Sequence, residues 1–162
     1  MTVRVRAYRQ DDAPALARVL FDAVRIGAAE HYTYAQREAW APQPPDPAGL
    51  AARLSEQTCF VAEDARGVAG FAAYDASGHL DLLHVRPDLR GTGTAGLLHD
   101  AVIDHARAAG LTALTVEASH PARRFLARLG WTLIETQTVT RNGVGLQNHR
   151  MIFIIVGDAC DA

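Results

Sequence analysis

Between His84 and Asp100 the chain reads HVRPDLRGTGTAGLLHD. Gly91, Gly93 and Gly96 fall in this stretch, with Arg90 just before them and an apolar, helix-like run after them. Glycines at the start of a helix let backbone amides approach an anion, because no Cβ stands in the way. The chemistry such a stretch can do is phosphate binding. Several patterns overlap on it. A P-loop requires Lys and then Ser or Thr after its second glycine, but Leu97 and Leu98 stand there, so nothing neutralises the phosphates. A dinucleotide fingerprint, G-x-G-x-x-G, fits the three glycines, and Glu117 lies about 20 residues on, where a ribose-binding acid belongs. Against it, RPDLR separates the preceding apolar run from the first glycine. A third pattern, Arg-x-x-Gly-x-Ala opening a helix after an apolar strand and a short charged loop, is met by Arg90, Gly93 and Ala95. The plainest alternative is a tight turn, which requires fewer glycines and no arginine.

The elements that must hold this loop are legible from hydropathy patterning. VRVRAY alternates and predicts a half-buried strand. A helix is expected from Asp11 or Asp12, with Pro14 in its first turn, to Gly27. Thr33 and Gln36 form a capping-box pattern for a short second helix, and Asp46 with Pro47 starts another. TCFVAED, VAGFAAYD and HLDLLHV are strands separated by DARG and DASG turns. A helix over TGTAGLLHDAVIDHARAAG, a strand over LTALTVEAS and a helix over HPARRFLARLG follow. WTLIETQTVT and NHRMIFIIV close the chain as two strands joined through RNGVGLQ, where Asn142-Gly143 is a hairpin signal. That hairpin also counts against the dinucleotide reading, which needs repeated strand–helix–strand units there. The order predicts a mixed sheet in an α/β or α+β layer arrangement, in one domain spanning residues 1–162.

Composition narrows the class. The 162 residues are 49% hydrophobic and 21% charged, with a formal net charge of -2, which lacks the basic excess of a nucleic-acid surface. The opening MTVRVRAYRQDD has no apolar signal core, and no apolar run is long enough to span a bilayer. A cytoplasmic protein with no nucleic-acid or membrane partner is the expectation. The two cysteines, Cys59 in an apolar run and Cys160 in a polar tail, make no zinc spacing and no disulfide framework, so no metal is expected.

VRPDLRGTGTA resembles the central motif of the GNAT superfamily of acetyl-CoA-dependent N-acetyltransferases, V-x-P-x-x-R-G-x-G-x-G, with Ala in the last place. FLARLGW is similar to that family's later F-Y-x-x-x-G-F segment, and VRVRAYRQDDAPAL to its opening strand and helix. The resemblance implies a mostly antiparallel central sheet flanked by helices. It also implies acetyl-CoA as co-substrate and transfer of its acetyl group to a primary amine of a small molecule or an exposed amino group. The backbone amides of Gly91, Thr92, Gly93, Thr94, Ala95 and Gly96 would hold the pyrophosphate, Arg90 would flank it, and Leu83 and Val85 would pair with the pantetheine arm. The family often places a general base on the preceding strand, at positions that fall here on His79 and Asp81.

Simple alternation puts His79, Asp81, Leu83 and Val85 on one face and Leu80, Leu82 and His84 on the other. Asp81 in an apolar strand is expected to have its pKa raised by burial, as a base requires. An ion pair with a basic neighbour is the structural alternative, and for His79 it is an exposed turn position. The family's usual tyrosine acid is replaced by Leu126, which donates no proton. Ser119 and His120 are the candidates to replace it, against a helix N-cap role. Tyr32, Tyr34 and Trp40 fall where the family binds its acceptor, against plain core packing. The competing class is a non-catalytic module that binds coenzyme A as a sensor or scaffold. The sequence leaves the oligomeric state open, a homodimer included.

Overall fold

The computed structural model describes residues 2–156, so Cys160 lies outside the described residues. Seven strands form one sheet: β1 (Arg4–Ala7), β2 (Thr58–Asp64), β3 (Gly67–Tyr74), β4 (His79–Val85), β5 (Ala113–Ala118), β6 (Thr132–Arg141) and β7 (Val144–Ile154). Their spatial order is β1-β2-β3-β4-β5-β7-β6. All neighbours are antiparallel except β4 and β5, which run parallel. Five α-helices cover the sheet: α1 (Ala13–Asp22), α2 (Tyr34–Trp40), α3 (Pro47–Leu54), α4 (Thr94–Ala108) and α5 (His120–Arg128). None of the described helices is long and apolar enough to cross a membrane.

Each face of the sheet buries its own apolar layer. On one face Leu16 and Ala17 of α1 and Leu50 and Leu54 of α3 pack on Val61, Phe71, Ala73 and Leu82. On the other, Leu98, Val102 and Ala106 of α4 and Leu126 of α5 pack on Ala62, Ala72, Leu80, Leu114 and Met151. Cys59 is buried in the first layer, and burial pushes its thiol up to about 12, so it packs as a small hydrophobe.

Local sequence explains the ends of several elements. Thr33 Oγ1 accepts from the Gln36 amide and Gln36 Oε1 from the Thr33 amide, which completes the capping box of α2. Asn142 and Gly143 take positive φ of 47° and 78° and form a two-residue turn. The hairpin is therefore tighter than the patterning implied, with β6 running to Arg141 and β7 starting at Val144.

The first helix differs from expectation. A 3-10 turn (Gln10–Asp12) precedes α1, and a π-helical turn (Ala23–Gly27) follows it. Asp12 does not cap α1 with its side chain. Its carboxylate instead accepts from both terminal nitrogens of Arg6 and from the Arg9 amide. These bonds hold the Asp12 carboxyl below its usual range, as Arg86 does for the Asp64 carboxyl. A lowered folded-state pKa stabilises above the unfolded value, about 3.9 for Asp, and that contribution is lost as pH falls through the folded value. The melting temperature is expected to hold from neutral pH down to about 4.5 and to fall below about 4. Calorimetric scans across that range check it, and a melting temperature unchanged at pH 2 would contradict it.

The largest departure lies in β4. The β3–β4 register steps from Ala73↔Leu82 to Tyr74↔Leu80, leaving Asp81 as the extra residue of a β-bulge. Alternation therefore breaks at Asp81. Leu80, Leu83 and Val85 share the α4 layer, while Leu82 joins the α1–α3 layer. The expected grouping of His79 and Asp81 with Leu83 and Val85 is corrected by this bulge.

Candidate active site

β4 and β5 are paired only at His79↔Thr115 and Leu80↔Val116. Beyond the bulge the two strands have no register partners in each other, and a cleft of about 880 Å³ opens between them. Its floor is Leu82 to Val85 on one side and Glu117, Ala118 and Ser119 on the other. One end is closed by Arg90, Gly91 and Gly93 to Gly96, the other by Tyr32, Trp40, Leu146 and Asn148. Such a volume suits a small-molecule or cofactor site.

The glycine end is an anion cradle. A 3-10 turn (Pro87–Leu89) delivers the chain to Gly91 and Gly93, whose φ of 73° and 86° belong to the left-handed region that favours glycine. Gly93 is the N-cap of α4 and supplies no side-chain cap, so the helix starts with its amides open. The first backbone bond of the helix runs from the Leu97 amide to the Gly93 carbonyl. A Cβ placed on Gly91, Gly93 or Gly96 would meet no atom of the other described residues within 4 Å, chain neighbours and the helix's own backbone aside. That open space over a helix N-terminus fits a pyrophosphate. Thr92 is the cradle member that does not line the cleft; its hydroxyl bonds the Leu89 carbonyl and Thr94 Oγ1.

The other end is polar and aromatic. Asp81 lines the cleft but is clamped: Arg53 Nε and Nη2 donate to its two oxygens at 2.8 and 2.7 Å, and Gln57 Nε2 donates at 2.8 Å. Burial pushes the Asp81 carboxyl up, but these donors and the Arg53 charge outweigh it and hold the group below its usual range. The expected rise is thus corrected, and a carboxylate so stabilised is a poor proton acceptor at neutral pH. Arg53 is not legible as a partner in the sequence, because it sits 28 residues away and meets Asp81 only through the packing of α3. His84 also lines the cleft, and burial together with the Arg53 charge pushes its imidazole down to about 4.

His79 lies in the cleft wall with Nδ1 3.0 Å from Thr115 Oγ1. It is half-buried rather than exposed at the turn. Glu117, which the sequence suggests only as a ribose-binding acid, lines the cleft from the β5 side. Asn148 Oδ1 is sealed from solvent and has no hydrogen-bond partner among the described residues. A buried acceptor without a donor is costly, so a polar ligand that supplies one is favoured there. Ser119 Oγ accepts from the Ala122 amide at 3.3 Å and caps α5. Leu126, in the place of the family's tyrosine, is fully buried and lines the cleft.

Of the three aromatic candidates, Tyr32 and Trp40 meet and Tyr34 does not join them. Tyr32 is 5% exposed and stands edge-on to Trp40 at 5.5 Å. Its hydroxyl donates to the Gln147 carbonyl at 2.9 Å and accepts from the His120 amide at 3.0 Å. Tyr34 is 59% exposed and lies between the guanidinium groups of Arg25 and Arg37, outside the cleft lining. Tyr32→Phe would leave the His120 amide and Gln147 carbonyl unpaired. It is expected to cost about 1–3 kcal/mol of stability, measured by denaturant unfolding. A loss under about 0.5 kcal/mol would mean that the hydroxyl does not hold this wall.

The β4–β5 pair thus splits beside an open helix N-terminus, and one cleft joins an unpaired strand edge to an anion cradle. The match to the Acetyltransferase (GNAT) domain over residues 28–153 agrees, and the chain belongs to that family. It is 28% identical over 149 residues to the uncharacterized N-acetyltransferase YafP of Escherichia coli K12, covering 92% of this chain and 94% of that protein. A GCN5-related N-acetyltransferase structure from Rhodopseudomonas palustris superposes with a TM-score of 0.88 at 35% identity, over 95% of this chain and 96% of that one. A phosphinothricin acetyltransferase from Sinorhizobium meliloti, solved with acetyl-CoA, shares the fold with a TM-score of 0.76 at 23% identity, over 98% and 92% of the two chains.

Proposed function

We propose that this chain transfers the acetyl group of acetyl-CoA to a primary amine of a small molecule or an exposed amino group. Family membership makes it an acetyl-CoA-dependent acyltransferase; the acceptor and the residue roles are our reading. The observation that carries it is the β4–β5 gap, which joins an anion cradle to a polar pocket.

The amides at Gly91 and Gly93 to Gly96 hold the pyrophosphate, with Arg90 beside it. Leu83 and Val85 offer backbone groups to the pantetheine arm, as they would to an added strand. Bound acetyl-CoA supplies an activated carbonyl and a good leaving group. The acceptor must present a neutral nitrogen, so a base has to take its proton. His79 fills that role better than Asp81. With Nδ1–H donating to Thr115 Oγ1, its Nε2 keeps a lone pair for the amine. Asn148 Oδ1 accepts a remaining N–H of the acceptor, which ends its isolation. Leu126 gives no proton, but a thiol near pKa 8.5 leaves more readily than an amine near 10.4, so the thiolate departs and takes its proton from His79 or water. Ser119 stays structural.

Incubation with acetyl-CoA and a panel of amines and amino alcohols tests this reading. The expected product carries one acetyl group that survives hydroxylamine, as an amide does. A product cleaved by hydroxylamine would make the chain an O-acyltransferase instead.

A further inference from the structure

Behind Tyr32, on the outer side of α5, lies a second pocket of about 530 Å³. It is lined by His31, His120, Arg123, Arg124, Ala127 and His149, with no acidic residue in its wall among the described residues. Several arginines of the chain are matched, Arg6, Arg53, Arg86 and Arg150 each with a carboxylate oxygen within 2.8 Å, and others, such as Arg9 and Arg128, are not matched among the described residues; what sets this pocket apart is that two arginines and three histidines meet in one concavity. Arg123 and Arg124 have neither a carboxylate within 4 Å nor any side-chain hydrogen bond among the described residues, and both are exposed.

The histidines are organised as well as gathered. Thr136 Oγ1 meets His149 Nδ1 at 2.9 Å, and His149 Nε2 meets His120 Nδ1 at 2.7 Å. His120 is stacked on Tyr32 at 4.6 Å, which fixes its plane. When the Thr136 hydroxyl donates into this run, each neutral imidazole donates onward, and His120 Nε2–H is left as a donor at the pocket. No net charge is needed for that. Burial holds both imidazoles below their usual values. His31 and Arg123 add to this at His120, and Arg123 and His120 at His149. The groups acting on the pair are therefore all basic, an arrangement that a bound anion relieves.

We propose that this pocket is an anion site that takes a phosphate group between the Arg123 and Arg124 guanidiniums and His120 Nε2–H. Paired guanidinium forks match phosphate oxygens in geometry and charge. The site does not depend on acetyl transfer. It adjoins the cleft across the Tyr32–His120 stack, Tyr32 lining the cleft and His120 the pocket.

Calorimetric titration of the full chain with inorganic phosphate, at constant ionic strength held with chloride, tests the proposal without acetyl-CoA. Saturable binding is expected, weakened at least about tenfold in R123A/R124A and by a smaller factor in R123K/R124K, since lysine retains the charge but loses the planar fork. Both arginines are exposed, so the variants should fold as the parent does. Histidine nitrogen spectra should show His120 Nε2 protonated and shifted on phosphate addition. No saturable binding, or equal binding by R123A/R124A, would overturn the site. A second arm separates the sources of the phosphate. A preference for phosphoethanolamine over ethanolamine as acceptor, erased in R123A/R124A, assigns the group to the acceptor. Phosphate binding without that preference assigns it to a free anion acting beside the cleft.

Discussion

Gly96→Glu is expected to weaken acetyl-CoA binding at least about 100-fold, close to 2.7 kcal/mol, while the fold survives. Gly96 lies in the first turn of α4 with no positive φ, and a Cβ there meets no atom of the other described residues within 4 Å, chain neighbours and the helix's own backbone aside. A side chain therefore costs no backbone strain, and replacing glycine within a helix gains a few tenths of a kcal/mol, roughly, in intrinsic propensity. What changes is the ligand side. A carboxylate stands where the open amides and the helix dipole attract a pyrophosphate, and it meets that charge at close range. Gly93→Glu would test the same cradle less cleanly, because its φ of 86° adds strain of about 1–3 kcal/mol. Calorimetry with acetyl-CoA and a thermal melt check both halves. Retained affinity at an unchanged melting temperature would remove the cradle from the site.

His79→Gln is expected to lower kcat by about 100-fold and to leave the acetyl-CoA affinity within about twofold, in line with the loss of a general base. Glutamine keeps a hydrogen bond to Thr115 Oγ1 but has no basic nitrogen. Asp81→Asn provides the contrast. It breaks an ion pair to Arg53 that is partly open to solvent, so its cost is expected in stability, roughly 1 kcal/mol, more than in rate. If Asp81→Asn abolishes turnover and His79→Gln does not, the roles of the two residues are reversed.

What can be read from residues alone is local. Arg90, Gly91, Gly93 and Gly96 announce their loop because glycine conformation and a helix start are decided within a few positions. The same holds for Thr33 with Gln36 and for Asn142-Gly143. Asp81 escapes such a reading because two distant facts decide it. Pairing with β3 places the bulge, and α3 brings Arg53 and Gln57 to the carboxylate. Tyr32 and Tyr34 sit two residues apart in one aromatic stretch, and no local pattern ranks them. The turn between the π-helical segment and α2 sends Tyr32 inward to 5% exposure and leaves Tyr34 at 59%. Asn148 gives no signal at all, since a buried acceptor becomes visible only when its surroundings are known.

The measurement that bears most directly on the function is free thiol released when the chain meets acetyl-CoA and a panel of primary amines. Acetyl transfer requires thiol in amounts exceeding the protein, dependent on at least one amine and lost in His79→Gln. Saturable acetyl-CoA binding with no thiol release for any amine would contradict it, and would make this chain a coenzyme A sensor in which Leu126 marks the lost acid.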